Sequence, residues 1–332
     1  MINVLFIFEG NNRRALDYTI QTLRNNNCSV TELCFDQYWN CNEGYTPTKE
    51  SSSLADSYNN VFDFIIMATH CMNLVMADFQ ERCKAKYGYY NIEHDLYNSI
   101  IERCNDCHLL GVFSFTKFMT NYLKSRNIKY FEASWYKLDT SEITSRPDYL
   151  NNAILIDTSY TNKDIPFEYK HLFTKVYLKN FYPTERNSAF EKNLETNLVK
   201  WYDTQGLVDM LDLAKFWFSF KSSAIIEALL MNRIPILWRA EYTDEIQIND
   251  IISEIRIIDT SPDKLHQFDN KLKMITATNI DYKIKELQNN PLKLEETQSI
   301  LKQDWCFDEP KPKVVDILLE DMARIINDHT KS

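Results

Sequence analysis

The sequence predicts an α/β protein built from two Rossmann-like parallel-sheet domains that face a cleft. Continuous apolar runs such as INVLFIF, FDFIIMAT, NAILIDTS and IPILW read as strands covered on both faces, and segments of helical spacing fall between many of them. Strands and helices in rotation imply a parallel sheet flanked by helices. A chain of 332 residues, 44% of them hydrophobic, exceeds one small core and divides naturally into two domains of about 150 residues.

Taken in order, INVLFIF (2–8) is a strand, EGNNRR a polar turn, ALDYTIQTLRNNN a helix and SVTELCF the next strand. A polar loop spans about 37–60, and Tyr38 and Trp39 within it are candidates to line a recognition site. FDFIIMAT follows as a strand and MNLVMADFQERCK as a helix. GYYNIEH, HLLGVFSF, the helical TKFMTNYLKSRN and KYFEAS complete the first series. The polar stretch from about 138 to 152, broken by Pro147, is the linker. NAILIDTS, TKVYLKNF and LVKWYD then read as strands, DMLDLAK as a helix, and FWFSF, IPILW and IRIID as further strands. KVVDILLEDMARIINDH is an amphipathic helix whose acidic polar face favours packing on the protein over anionic lipid. The expected domains are 1–145 and 146–310, with the terminal helix at 311–332.

Composition narrows the function. A net charge of −10 argues against a broad nucleic-acid surface, because duplex affinity comes mainly from Lys and Arg. Only 5 glycines occur and no glycine-rich phosphate loop can be found, so any nucleotide is held by another device. The longest apolar runs fall short of the roughly 20 residues that span a bilayer. Eight scattered cysteines suit a reducing compartment, and CNDCH lacks the second CxxC of a zinc site and the export signal of a haem protein. We expect no metal, no cofactor, and a cytoplasmic location that extends to the periphery of the inner membrane face.

The segment FSFKSSAIIEALLMNRIPILW carries the chemistry. With Ser223 as N-cap, the helix would open on free backbone N–H groups, an anion site rimmed by the hydroxyls of Ser222 and Ser223. Glu227 lies one turn further on the same face, in surroundings where charge is costly. Such an arrangement suits a phosphate with a sugar hydroxyl beyond it. The simpler alternative is an ordinary cap, with Glu227 paired to Lys221 or Arg233 at the surface.

Residues 201–238 resemble the C-terminal-domain signature of GT-B glycosyltransferases, in particular the bacterial capsule and teichoic acid group of CDP-glycerol transferases, polysialyltransferase-like and KDO transferase-like enzymes. Ser222, Ser223, Glu227, Ala228, Pro235 and Ile236 carry the likeness. The resemblance implies that 1–145 is the acceptor domain and 146–310 the nucleotide-donor domain. It implies that the serines contact donor phosphates, that Glu227 holds the ribose, and that a nucleotide-sugar is substrate. Lys175 and Lys179 would neutralise the donor pyrophosphate without metal. Two departures stand out: LKNFYP has Tyr182 where many relatives have the histidine of Lys-x-His-Pro, and NRIP stands where a GKP-like turn is common.

In the first domain His94 follows a strand, where a general base can take an acceptor proton. His70 is the reserve candidate, and Glu9, Asn11 and Arg13 form an acceptor-side loop. The alternatives to transfer of a sugar or polyol phosphate onto a surface glycan or related acceptor are a sugar-nucleotide 2-epimerase, a noncatalytic nucleotide-sugar or glycan-binding protein, and a DNA glucosyltransferase.

Overall fold

The computed structural model describes residues 1–8, 15–34, 39–40, 46–47, 49–68, 82–92, 108–139, 153–157, 175–179, 199–201, 214–219, 225–237, 285 and 287–331. The chain forms two compact units, Met1–Thr140 with Phe307–Ser332, and Ser141–Cys306.

The first unit holds β1 (Ile2–Phe8), α1 (Asp17–Asn25), β2 (Cys28–Cys34), β3 (Trp39–Asn40), β4 (Thr46–Pro47), α2 (Lys49–Tyr58), β5 (Phe64–Ala68), β6 (Gly88–Asn91), β7 (Leu109–Ser114), α3 (Lys117–Ser125) and β8 (Tyr130–Glu132). Six of these strands make one parallel sheet in the order β2-β1-β5-β6-β7-β8. Successive side chains of a strand point to opposite faces, so β1 supplies both. Leu5 and Ile7 pack with Ile65, Met67, Tyr89 and Ala55 on one face. Strand periodicity sends Phe6, Phe64, Ile66 and Tyr90 to the other, where all four are buried. Apolar runs were continuous in the sequence because neither face meets water.

α2 occupies 49–58, inside the stretch expected as loop. Its sequence KESSSLADSY offers little apolar periodicity, yet Ala55 is buried and Leu54 and Tyr58 lean on the core beside it. Tertiary packing outweighs weak local propensity there. Thr116 caps α3, its Oγ1 accepting from the Met119 N–H at 3.0 Å.

The C-terminal helix, α6 (Val314–Lys331), belongs to the first unit. It runs beside α1 and buries Val314, Val315, Leu318, Met322 and Ile325. The Tyr90 hydroxyl donates to Asp321 at 2.9 Å, which ties the helix to the middle of the sheet. The segment leading into it is held by Ser134 N–H to the Pro312 carbonyl at 2.8 Å and by Lys117–Asp308 and Lys311–Glu132 pairs at 2.6 Å.

The second unit has β9 (Ala153–Asp157), β10 (Lys175–Lys179), β11 (Val199–Trp201), β12 (Phe216–Ser219), α4 (Ile225–Leu230), β13 (Ile234–Leu237) and α5 (Pro291–Trp305). Its parallel sheet runs β11-β10-β9-β12-β13. Among the described residues β13 ends the row and has one ladder, which tolerates Pro235. The helices expected over 72–84 and 209–215 and the strand over 255–259 lie, wholly or almost wholly, outside the described residues.

Asparagine replaces glycine at the helix ends of this glycine-poor chain. Asn27, Asn60, Asn127 and Asn232 each follow a helix with φ near +60°. After α3 and α4 the left-handed residue closes a paired turn: Ile128 N–H reaches Leu123 O and Asn127 N–H reaches Lys124 O, and Arg233 N–H and Asn232 N–H do the same with Ala228 O and Leu229 O.

Candidate functional site

In an open parallel sheet, ligands bind outside the carboxyl ends of the strands where the strand order reverses. The reversal in the first sheet falls between β1 and β5, because β2 lies to one side of β1 and the later strands to the other. There Phe8 stands opposite Ala68, and one strand further Met67 stands opposite Asn91. The chain leaves these three neighbouring strand ends toward Glu9, Asn11 and Arg13, toward His70, and toward His94. All five residues lie outside the described ones.

In the second sheet the reversal falls between β9 and β12. Phe218 is in register with Ile156, so the strands end together at Ser219 and Asp157. Ser222 and Ser223 follow Ser219 in sequence and lie outside the described residues. Lys179 ends β10 opposite Asp157, at the same carboxyl edge. Lys175 does not join it: it opens β10 opposite Ala153, one strand length away at the amino edge. Four residues of strand at about 3.3 Å each separate the two lysines. The strand therefore separates a pair that looked alike because both flank it.

Glu227 sits in the first turn of α4 and is 0% exposed. It is therefore not at the surface, where the simpler alternative put it. The helix around it is short and apolar, with Ala228 and Leu229 equally buried. At its far end Arg233 is buried too, and its Nη1 donates to the Met231 carbonyl at 2.7 Å. Burial, with the Arg233 guanidinium nearby, holds Lys215 below the ordinary lysine range. Both cations belong to the amino ends of β12 and β13, because Ile234 N–H bonds to Lys215 O at 2.9 Å.

NRIP departs from the glycine-bearing turn in chemistry and keeps its conformation. Asn232 has φ 59°, the left-handed setting that glycine serves elsewhere. Its side chain adds what glycine lacks, an acceptor for the Lys302 ammonium of α5, while Gln298 donates to its carbonyl. Burial lowers the Lys302 pKa.

The second sheet has the Rossmann strand order and the first the flavodoxin-like one, and each has a switch point. Solved structures match them over nearly the whole chain. The wall teichoic acid polymerase TagF, soaked with CDPG, superposes with a TM-score of 0.57 at 10% identity, covering 99% of this chain and 89% of TagF. A longer soak of the same polymerase gives 0.54 at 10% identity with the same coverage. The glycotransferase of kitacinnamycin gives 0.52 at 9% identity, covering 97% of this chain and 99% of its own. The chain has the GT-B fold. No protein-family model matches it, and no curated protein matches it in sequence.

Sequence reasoning did not single out Asp157. It ends the central strand of the second sheet beside the switch point, in register with Lys179. An acid closing the otherwise apolar run AILID was the available signal. Among the described residues no group of three or more His, Cys, Asp or Glu is placed to hold a metal, and Cys28 and Cys83 are free thiols. No helix among them is long and apolar enough to cross a membrane.

Proposed function

We propose that this chain is a metal-independent glycosyltransferase that moves a sugar, or a polyol phosphate, from a nucleotide-activated donor to a glycan or related acceptor. The observation that carries the reading is Glu227: a carboxylate held fully buried in the first turn of the helix that follows the switch-point strand β12. Burying a carboxylate is expensive. The reading assigns the donor to the second unit, with Ser222 and Ser223 on its phosphates, Lys179 beside them and Glu227 on the ribose. It assigns the acceptor to the first unit, with Glu9, Asn11 and Arg13 as contacts and His94 as base, His70 being the alternative.

In the reaction, the acceptor hydroxyl gives its proton to His94 as its oxygen bonds to the donor carbon, or to phosphorus in polyol-phosphate transfer. The bond from that atom to the nucleotide's leaving oxygen breaks, and the nucleotide carries the electron pair away. Positioning and electrostatics suffice, with no covalent intermediate. TagF, soaked with CDPG, puts CDP conjugates among the first donors to try.

Nucleotide release from candidate donors, with mixed glycan acceptors, tests the proposal. His94→Ala should remove at least about a hundredfold of turnover, the usual scale of general-base catalysis, while leaving donor binding in place. Conversion of the donor's sugar configuration without acceptor would make the chain an epimerase. Donor binding with no turnover would make it a binding protein.

A further inference from the structure

The chain leaves the first unit after Thr140 and re-enters it at Phe307. The outgoing stretch, 133–139, and the returning stretch, 307–313, are bonded to each other: Ser134 N–H reaches the Pro312 carbonyl at 2.8 Å, and the Lys313 ammonium reaches the Asp139 carbonyl at 3.2 Å. The same ammonium donates to the Tyr18 hydroxyl of α1 at 3.1 Å and stands 4.2 Å from the centre of that ring. Two ion pairs in partial contact with solvent, Lys117–Asp308 and Lys311–Glu132, also hold the returning stretch.

Asp139 is buried in this junction. Its Oδ1 accepts from the Ser134 hydroxyl at 2.8 Å, and its Oδ2 is buried with no hydrogen-bond partner among the described residues. The charged groups that act on it there are Lys313, just before α6, and Asp316 in the first turn of α6, while Tyr18 meets it through Lys313. Burial outweighs the Ser134 hydroxyl and the Lys313 ammonium, so the closed junction favours the neutral acid. Opening the junction lets the carboxylate reach water, where its charge is cheap.

We propose that Asp139 is a proton switch on this junction: protonated, it lets the returning stretch seat firmly on the first unit, and ionised, it loosens that stretch. Closing takes up a proton, because the carboxyl titrates at about 6 when closed and in the ordinary carboxylate range when open. Closure is therefore favoured most below the ordinary value, and the advantage is lost as pH rises through about 6. The two ion pairs work with the opposite sign, since protonating Asp308 or Glu132 would release the stretch in acid. The switch acts where the chain leaves and re-enters the unit, and it does not rest on the transfer reaction.

Amide hydrogen exchange of the full chain tests it, read at Ser134, whose N–H is freed only when Pro312 moves away. After correction for intrinsic exchange, protection there should be about tenfold or more higher at about pH 4.5 than at about pH 7. At both pH values Ser134 should exchange faster than the amides of β1 and β5, the mark of a local opening. Asp139→Asn should hold protection at the acid level throughout. Ser134→Ala, which removes the hydroxyl that pulls the carboxyl down, should move the midpoint of the change to higher pH, read at the Asp316 amide at the start of α6. Protection that ignores pH, that falls in acid, or whose pH dependence survives Asp139→Asn overturns the proposal. So does exchange of Ser134 at the rate of β1 and β5, because the junction then opens only when the whole unit unfolds.

Discussion

Tyr90, in the fourth strand of the first sheet, donates its phenol hydrogen to the carboxylate of Asp321 at 2.9 Å, and Asp321 also accepts from Arg324 Nε at 3.1 Å. Both ends of the bond are buried, and burial first, then the Asp321 charge, pushes the phenol far above its ordinary range. The residues are 231 positions apart, so the bond fastens the end of the chain to its first unit. Tyr90→Phe should destabilise the protein by about 1–3 kcal/mol, because a buried acceptor loses a donor while the ring stays. Denaturant unfolding measures it.

Asp139 gives a pH dependence of defined sign. It is 9% exposed, and burial raises its pKa to about 6, against the opposing pull of the Ser134 hydroxyl at 2.8 Å and the Lys313 ammonium. The folded state therefore holds its proton more tightly than the unfolded state. Stability from this group is fully present below about pH 4 and is lost as pH rises through about 6. Asp139→Asn should gain about 2 kcal/mol relative to wild type at neutral pH and almost nothing at pH 4, a difference that unfolding curves across that range will show.

Gly88 begins β6 with φ +131°, and a Cβ there would lie 2.2 Å from the His108 carbonyl oxygen. Neither the backbone setting nor the neighbouring strand can accommodate a methyl group. Gly88→Ala should cost about 3 kcal/mol or more and lower soluble yield.

Asn232 separates conformation from contact. Asn232→Ala should cost about 1–2 kcal/mol, from left-handed strain together with the lost Lys302 bond, whereas Asn232→Gly relieves the strain and costs less. A ranking in thermal midpoint of wild type, Gly, then Ala is expected.

Much of the fold was legible in the sequence because parallel strands buried on both faces cannot hide: INVLFIF, FDFIIMAT and NAILIDTS became β1, β5 and β9. α2 was not legible, since three consecutive serines mask a helix that Leu54, Ala55 and Tyr58 anchor. Nor could pattern alone show which unit the last helix joins, because that rests on Tyr90 meeting Asp321 across most of the chain. The site was legible as far as residue type. Strand order, invisible in sequence, is what places Lys179 at the switch-point edge, leaves Lys175 at the opposite one and brings in Asp157.

The central claim is that a nucleotide-activated donor binds beside Glu227. It is tested most directly by thermal unfolding of wild type and Glu227→Gln against UDP, CDP, CMP, GDP and their sugar or glycerol conjugates. A ligand at about 100 times its Kd adds roughly 2.7 kcal/mol, a shift of several degrees in a protein of this size. The account predicts such a shift for one nucleotide class in wild type and its loss in Glu227→Gln. No shift with any nucleotide, or an equal shift in the variant, would contradict it.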